Sequence, residues 1–190
     1  MSSFWVGSTI RLRALEPDDD GKLQRFDQDV EYARNTWLHL PPRPRADYRV
    51  ETTRGGVPQP DTFILGIETL SGDQLVGTVG THTVDHISGT FGVGAAIGRE
   101  YQRRGYAGEA ILIVLRFMFN DRRYQKCNAF AWDSNHASIA LIGKLGFAGE
   151  GRIRRSRFFG GRYHDELRFG MTVEEYTAQH EPSLSAQLEV

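Results

Sequence analysis

Ile97–Ala110 reads IGREYQRRGYAGEA. The residues before it, Thr90–Ile97 (TFGVGAAI), have the composition of a strand. After it, Gly108–Asn120 repeats apolar side chains at Ala110, Ile111, Val114, Leu115, Phe117 and Met118, the stripe of an amphipathic helix. A basic, glycine-containing loop therefore feeds straight into a helix start. The first N–H groups of a helix have no intrahelical acceptor and carry a partial positive charge, so they hold phosphate oxygens. Gly105, with the small Ala107 and Gly108, lets backbone approach an anion closely, and Arg103 and Arg104 add charge beside it. A ligand bearing a pyrophosphate or a similar group is expected here.

Three ligand classes compete for this junction. A P-loop would end in Gly-Lys-Ser/Thr, which is absent. A dinucleotide fingerprint could start at Gly92-Val93-Gly94, but its third glycine is misplaced and its helix starts too late. That glycine pair reads better as a bulge or bent strand. An acyl-CoA site is the third reading.

Outward from the junction, the chain alternates between the two periods. Thr9–Ala14 is a strand and Asp19–Gln28 a helix with Leu23 and Phe26 inward. Arg34–Pro60, with Pro41, Pro42, Pro44, Gly55, Gly56, Pro58 and Pro60, reads as an irregular, mobile flap. Phe63–Glu68, Gln74–Val84 and Thr90–Ile97 form an antiparallel meander. Lys126–Trp132 is a strand and His136–Lys144 a short helix ended by Leu145–Gly146–Phe147. Gly151–Phe158 and Arg162–Thr172 pair across Gly160–Gly161 as a hairpin. The order gives a mixed α/β (α+β) domain over 1–178, with 179–190 as a frayed C-terminal tail.

Composition narrows the function classes. The 190 residues carry 23 Lys+Arg against 24 Asp+Glu, a net charge of −1, which speaks against a nucleic-acid-coating protein and against a polyacidic disordered one. A single cysteine, Cys127, excludes an internal disulfide and fits a reducing compartment. The longest apolar run is too short to span a bilayer and the first residues lack a signal-peptide order, so a cytoplasmic protein without membrane contact is expected. The six histidines, at 39, 82, 86, 136, 164 and 180, show no metal-ligand spacing, and no metal is expected. The near-zero sum hides a gradient. Residues 61–98 contain no Lys or Arg, whereas 99–170 carry fourteen against seven acids. A cation-free meander followed by a cationic half suits two partners of opposite sign.

Two motifs in order resemble the GNAT N-acetyltransferase family. Gln102-Arg103-Arg104-Gly105-Tyr106-Ala107 matches its acetyl-CoA motif, Gln/Arg-x-x-Gly-x-Gly/Ala. Asn135, Ser138, Leu141, Lys144, Gly146 and Phe147, in NHASIALIGKLGF, match its second signature. The ending is similar to the branch of ribosomal-protein N-terminal and spermidine acetyltransferases. The resemblance, over about 9–176, implies a GNAT fold: a mostly antiparallel central sheet of about six to seven strands flanked by helices, splayed between the fourth and fifth. It implies an acetyl-CoA-dependent N-acetyltransferase acting by direct attack in a ternary complex. The acceptor is expected to be an amine of a small molecule (polyamine-, amino-sugar- or antibiotic-like). The alternatives are a peptide N-terminus, as in the ribosomal type, and a non-catalytic acyl-CoA-binding sensor. Homodimers are common in the family.

The resemblance also distributes roles. Main-chain groups of Ala95, Ala96 and Ile97 would hold pantetheine and polarise the thioester. Gln102, Arg103, Arg104, Gly105, Tyr106, Ala107 and Gly108 would hold the pyrophosphate. Asn135 would orient the cofactor or cap its helix, and Lys144 would reach the adenosine phosphate. Spermidine enzymes of the branch carry a tyrosine as general acid before that lysine; Ile142 stands here. Ser138 is then the candidate donor to the departing thiolate. A primary amine arrives protonated, so a base is needed, and Glu68, His82, Asp85 and His86 are the candidates. Arg152, Arg154, Arg155 and Arg157 speak against a polycation as acceptor. They read as a solvated strand face or a patch for an acidic substrate, rather than as a nucleic-acid surface.

Overall fold

The computed structural model describes residues 4–36, 41–54 and 61–181. Seven strands, β1 (Ile10–Arg13), β2 (Ile64–Thr69), β3 (Leu75–Asp85), β4 (Thr90–Ile97), β5 (Lys126–Trp132), β6 (Ala148–Phe159) and β7 (Arg162–Thr172), join in one sheet ordered β1-β2-β3-β4-β5-β7-β6. The flanking helices are α1 (Asp20–Asp27), α2 (Val30–Asn35), α3 (Arg45–Arg54), α4 (Tyr106–Arg116), α5 (His136–Lys144) and α6 (Val173–His180). The sheet is mostly antiparallel. The β4–β5 ladder is parallel and pairs Thr90, Phe91 and Gly92 with Lys126, Cys127 and Asn128. Parallel neighbours need a crossover, and α4 supplies it. No helix among the described residues is long and apolar enough to cross a membrane.

The chain divides into two compact units, Met1–His82 with Val93–Phe117, and Thr83–Gly92 with Met118–Val190. In the first, Ile10, Ile67, Val76, Val114 and Leu115 are fully buried. Each stabilises by roughly 1.5–3 kcal/mol through removal of its apolar surface from water. An aromatic group of Trp5, Phe63 and Phe117 adds to this, with ring centres 4.9–6.2 Å apart. In the second unit, Phe91 packs edge-on against Phe119 and Tyr124, and Met118, Cys127 and Met171 are fully buried. There β7 pairs with β5 over seven positions and with β6 on its other side.

The strand order of the sequence reading stands, but the helices differ: α2, capped by Asp29, is not among the expected elements, and three further differences follow. The flap expected over Arg34–Pro60 contains the ten-residue helix α3. Its segment RADYRVETTR holds neither proline nor glycine, and tertiary bonds from Arg45, Tyr48 and Arg49 to α1 fix it. The remainder at 37–40 and 55–60 lies outside the described residues. The helix expected from Gly108 starts at Tyr106, directly after a left-handed Gly105, and passes into a π turn at Phe117–Asp121. Helix α6 was not expected, yet Thr172 and Glu175 form a capping box that is visible in the sequence. The expected tail from 179 begins within α6, and residues 182–190 lie outside the described residues.

Candidate active site

In the first unit the loop from β4 into α4 is held by its own backbone. The Gly98 N–H donates to Val76 O at 2.9 Å, and Tyr101 N–H to Gly98 O at 2.8 Å. A side chain at Gly98 would run into the ring of Phe26, so glycine is required for that approach. Gln102 folds back, its Nε2 donating to Ile97 O at 3.2 Å. Arg103 and Gly105 take left-handed backbone, with φ of +63° and +86°. These two residues turn the chain so that α4 can begin at Tyr106 with Gly105 as its N-cap. The first N–H groups of α4 then have no acceptor within the helix. A Cβ placed on Gly105 would meet no atom within 4 Å, so the helix start opens onto free space. Arg103 and Arg104 are exposed beside it.

Three residues that the sequence reading did not assign complete the loop. Tyr101 receives Lys22 from α1, whose Nζ donates to the phenol oxygen at 3.0 Å and lies 4.9 Å from the ring centre. Arg104 stands 5.9 Å from the same ring. Glu109 accepts from the N–H and hydroxyl groups of both Ser8 and Thr9, binding α4 to the segment before β1. Burial pushes the Glu109 carboxyl up, and these four donors more than reverse that, holding it below its ordinary value. Its place in the first turn after the basic loop was the available signal.

Ala95, Ala96 and Ile97 close β4 as half-buried residues. A Cβ on Gly77 of β3 would strike Ala96 O, so β3 and β4 approach closely there because residue 77 is glycine. His82, half-buried on β3, lies beside Gly94: a Cβ at Gly94 would be 3.9 Å from its Nε2.

Glu68 is held between two guanidiniums. It is 5% exposed, opposite Arg11 in the β1–β2 ladder. Arg11 Nε donates to one carboxylate oxygen at 2.6 Å and Arg13 Nε to the other at 2.5 Å. Arg13 also reaches Asp19 at 2.8 and 3.0 Å. Burial raises the Glu68 carboxyl and the two guanidiniums lower it further, so it sits below the usual range. A carboxylate whose two oxygens both hold guanidiniums is a poor proton acceptor and a good structural tie. Asp85 likewise accepts from Ile87 and Ser88 N–H at 2.9 and 3.1 Å within its turn, and His86 Nδ1 bonds the Tyr124 hydroxyl at 2.8 Å.

In the second unit Asn135 caps α5, its Oδ1 accepting the Ser138 N–H at 3.1 Å. The cap brings the two motif residues together and puts the half-buried Ser138 in the first helical turn. Lys144 is exposed in the last turn, and Ile142 is 6% exposed and packs inward. Just before the cap, Asp133 Oδ1 bonds His164 Nδ1 at 2.8 Å. His164 is 3% exposed and stacks flat on Phe159, with centroids 3.8 Å apart.

Against this geometry the comparisons with known proteins agree. The family described as an acetyltransferase (GNAT) domain matches residues 9–148. The "SPbeta prophage-derived uncharacterized N-acetyltransferase YokL" of Bacillus subtilis is 37% identical over 180 residues, 94% of this chain and 98% of that protein. The ribosomal protein uS5-alanine N-acetyltransferase of Escherichia coli is 24% identical over 122 residues, 63% of this chain and 62% of its own. In fold, a Vibrio cholerae–hSSAT chimera of spermidine N-acetyltransferase SpeG superimposes with a TM-score of 0.78 at 20% identity, covering 90% of this chain and 100% of that one. With most of its length matched and the two motifs standing at the starts of α4 and α5, the chain belongs to the GNAT acetyltransferase family.

Proposed function

We infer that the protein is an acetyl-CoA-dependent N-acetyltransferase that passes the acetyl group directly to an amine of a small molecule, with both substrates bound together. The observation that carries this reading is the start of α4: a left-handed glycine cap, free helical N–H groups, two exposed arginines, and open space where a Cβ would stand. That cradle fits a pyrophosphate.

Acetyl-CoA supplies an acetyl group already activated as a thioester. Arg103–Gly108 hold its pyrophosphate, and Gln102 braces the loop through Ile97 O. The N–H groups of Ala95–Ile97 hold the pantetheine and donate toward the thioester oxygen, as preorganised donors that need not reorient during reaction. Lys144 takes the adenosine phosphate. His82 accepts the proton that a primary amine, with a pKa near 10, must lose before its lone pair can attack. As the C–N bond forms and the C–S bond breaks, the Ser138 hydroxyl serves the departing thiolate, and Asn135 fixes the turn that presents it. Ile142, apolar and inward, has no proton to give.

That last fact also favours one second reading, an acyl-CoA-binding sensor without turnover. The activity for which the uS5 relative is named adds peptide N-termini to the acceptors worth assaying. Thiol release from acetyl-CoA over a panel of small amines and N-terminal peptides separates these readings. Turnover is expected with small amines. Tight acetyl-CoA binding with no thiol release from any member of the panel would establish the sensor instead.

A further inference from the structure

We propose that the tip of the β6–β7 hairpin selects acceptors whose amine lies close to a carboxylate or phosphate. This rests on the transferase reading above and deepens it.

The tip is placed by the sheet. The β5–β7 ladder ends with Trp132 opposite Glu166, but the β6–β7 ladder runs on through Arg157–His164, Phe158–Tyr163 and Phe159–Arg162. Hence the hairpin extends past the end of β5, where residues 133–135 lead into α5. Three contacts tie it there: His164 to Asp133 at 2.8 Å, Asp133 N–H to Asp165 O at 2.9 Å, and the Arg157 guanidinium 5.8 Å from the Trp132 ring centre. Asn135 and Ser138 follow directly in the chain.

Charge is distributed unevenly along the hairpin, which holds six arginines against three acids. All three acids are engaged. Asp165 accepts Arg152 Nε at 2.5 Å and the Arg155 N–H at 2.7 Å, Glu166 pairs with Arg168 and Ser156, and Glu150 pairs with Lys126 at 2.6 Å. The guanidiniums of Arg155 and Arg162 rest instead on rings. Arg155 lies 4.4 Å from the Tyr163 ring centre, and Arg162 Nε donates to His164 Nε2 at 3.4 Å. Both arginines are exposed. Stacking on an aromatic ring fixes a guanidinium plane while leaving its edge donors available, the arrangement that takes a carboxylate or phosphate bidentately.

The backbone is shaped for this. Register slips between Ile153 and Arg157, and Arg155 sits in the slip with a left-handed φ of +54°. Bulges re-aim a side chain, and this one occurs at the residue stacked on Tyr163. A second copy paired edge-to-edge along β6 would set these arginines against one another, and a polyamine would meet the same repulsion. An anion is the complement.

The test uses the purified full chain, acetyl-CoA and matched acceptors: ethanolamine against O-phosphoethanolamine, glucosamine against glucosamine 6-phosphate, and an acidic N-terminal peptide against its amide counterpart. Spermidine is the cationic comparison. The anionic member of at least one pair should lead in kcat/KM by roughly ten- to a hundredfold. Which pair leads shows whether a small molecule or a chain end carries the anion. Arg155→Gln and Arg162→Gln should bring that ratio towards one with the acetyl-CoA dissociation constant unchanged, and Arg155→Lys should retain part of it. Preference for spermidine or the neutral partners, or a ratio that survives both glutamine variants, overturns the proposal while leaving the transferase reading intact. Calorimetric titration with O-phosphoethanolamine covers the opposite case. If no acceptor turns over, weaker binding in the glutamine variants sustains the anion site even as the transferase reading fails; equal binding overturns it.

Discussion

Gly105→Ala isolates the anion cradle from the backbone that builds it. Gly105 has a φ of +86°, and an alanine there costs about 1–2 kcal/mol of strain even though its methyl meets nothing within 4 Å. For a chain of this size that corresponds to a fall in Tm of roughly 2–8 °C. Gly161 provides the matched control, with a φ of +81° and equally empty surroundings, so Gly161→Ala should lose about the same stability. The two variants part company on ligand. At Gly105 the methyl occupies the space a phosphate oxygen needs, and each lost charge-assisted N–H···O bond weakens binding by about 1.5–3 kcal/mol. This is between about ten- and a hundredfold in dissociation constant per bond. Calorimetric titration with acetyl-CoA, together with thermal melts, reads both quantities. A Gly105→Ala dissociation constant within about twofold of the parent, or equal weakening in both variants, refutes the pyrophosphate assignment.

Three further outcomes are expected. Ser138→Ala should lower kcat more than it raises KM for acetyl-CoA, since the hydroxyl acts on the leaving thiolate, and an unaltered kcat would pass that role to water. Glu68→Gln should cost about 1–2 kcal/mol in a denaturant melt, because an amide cannot hold both guanidiniums. It should leave the pH profile of kcat/KM unshifted, and a shifted profile would return Glu68 to the chemistry. Glu109 titrates below its ordinary 4.5 in the folded protein, because its bonds to Thr9 and Ser8 outweigh burial. A depressed carboxyl stabilises fully above its unfolded value and loses that stabilisation as pH falls through its folded value. Tm should therefore drop on acidification below about pH 4.5, and drop less steeply in Glu109→Gln; parallel curves would contradict this.

Both motifs were legible because each is local. A strand end, a basic glycine loop and an apolar stripe identify the start of α4 from consecutive residues, and Asn135 with Ser138 three positions on identifies a capped helix. The Thr172–Glu175 box is equally local and was overlooked. The ion pairs of Glu68 are illegible in the sequence for the opposite reason. Its partners Arg11 and Arg13 stand 57 and 55 positions away, and only the β1–β2 register sets them against its carboxylate. The same holds for α3: its prolines and glycines lie outside the helix, and its anchors, Asp20 and Asp27, are 21 to 29 residues upstream.

The sequence by itself determined the strand order, the family and the position of the basic loop before α4, since hydrophobic period, caps and left-handed glycines act within a few residues. Tertiary structure decided which charges are already engaged. Six arginines in the hairpin look alike as letters, yet Arg152 and Arg168 pair with Asp165 and Glu166 while Arg155 and Arg162 lie against a phenol ring and an imidazole. Whether a guanidinium can still bind an incoming anion depends on strand register and a bulge in which three residues of β6 face one of β7. Those are set by packing across the sheet, beyond the reach of any local pattern in the chain.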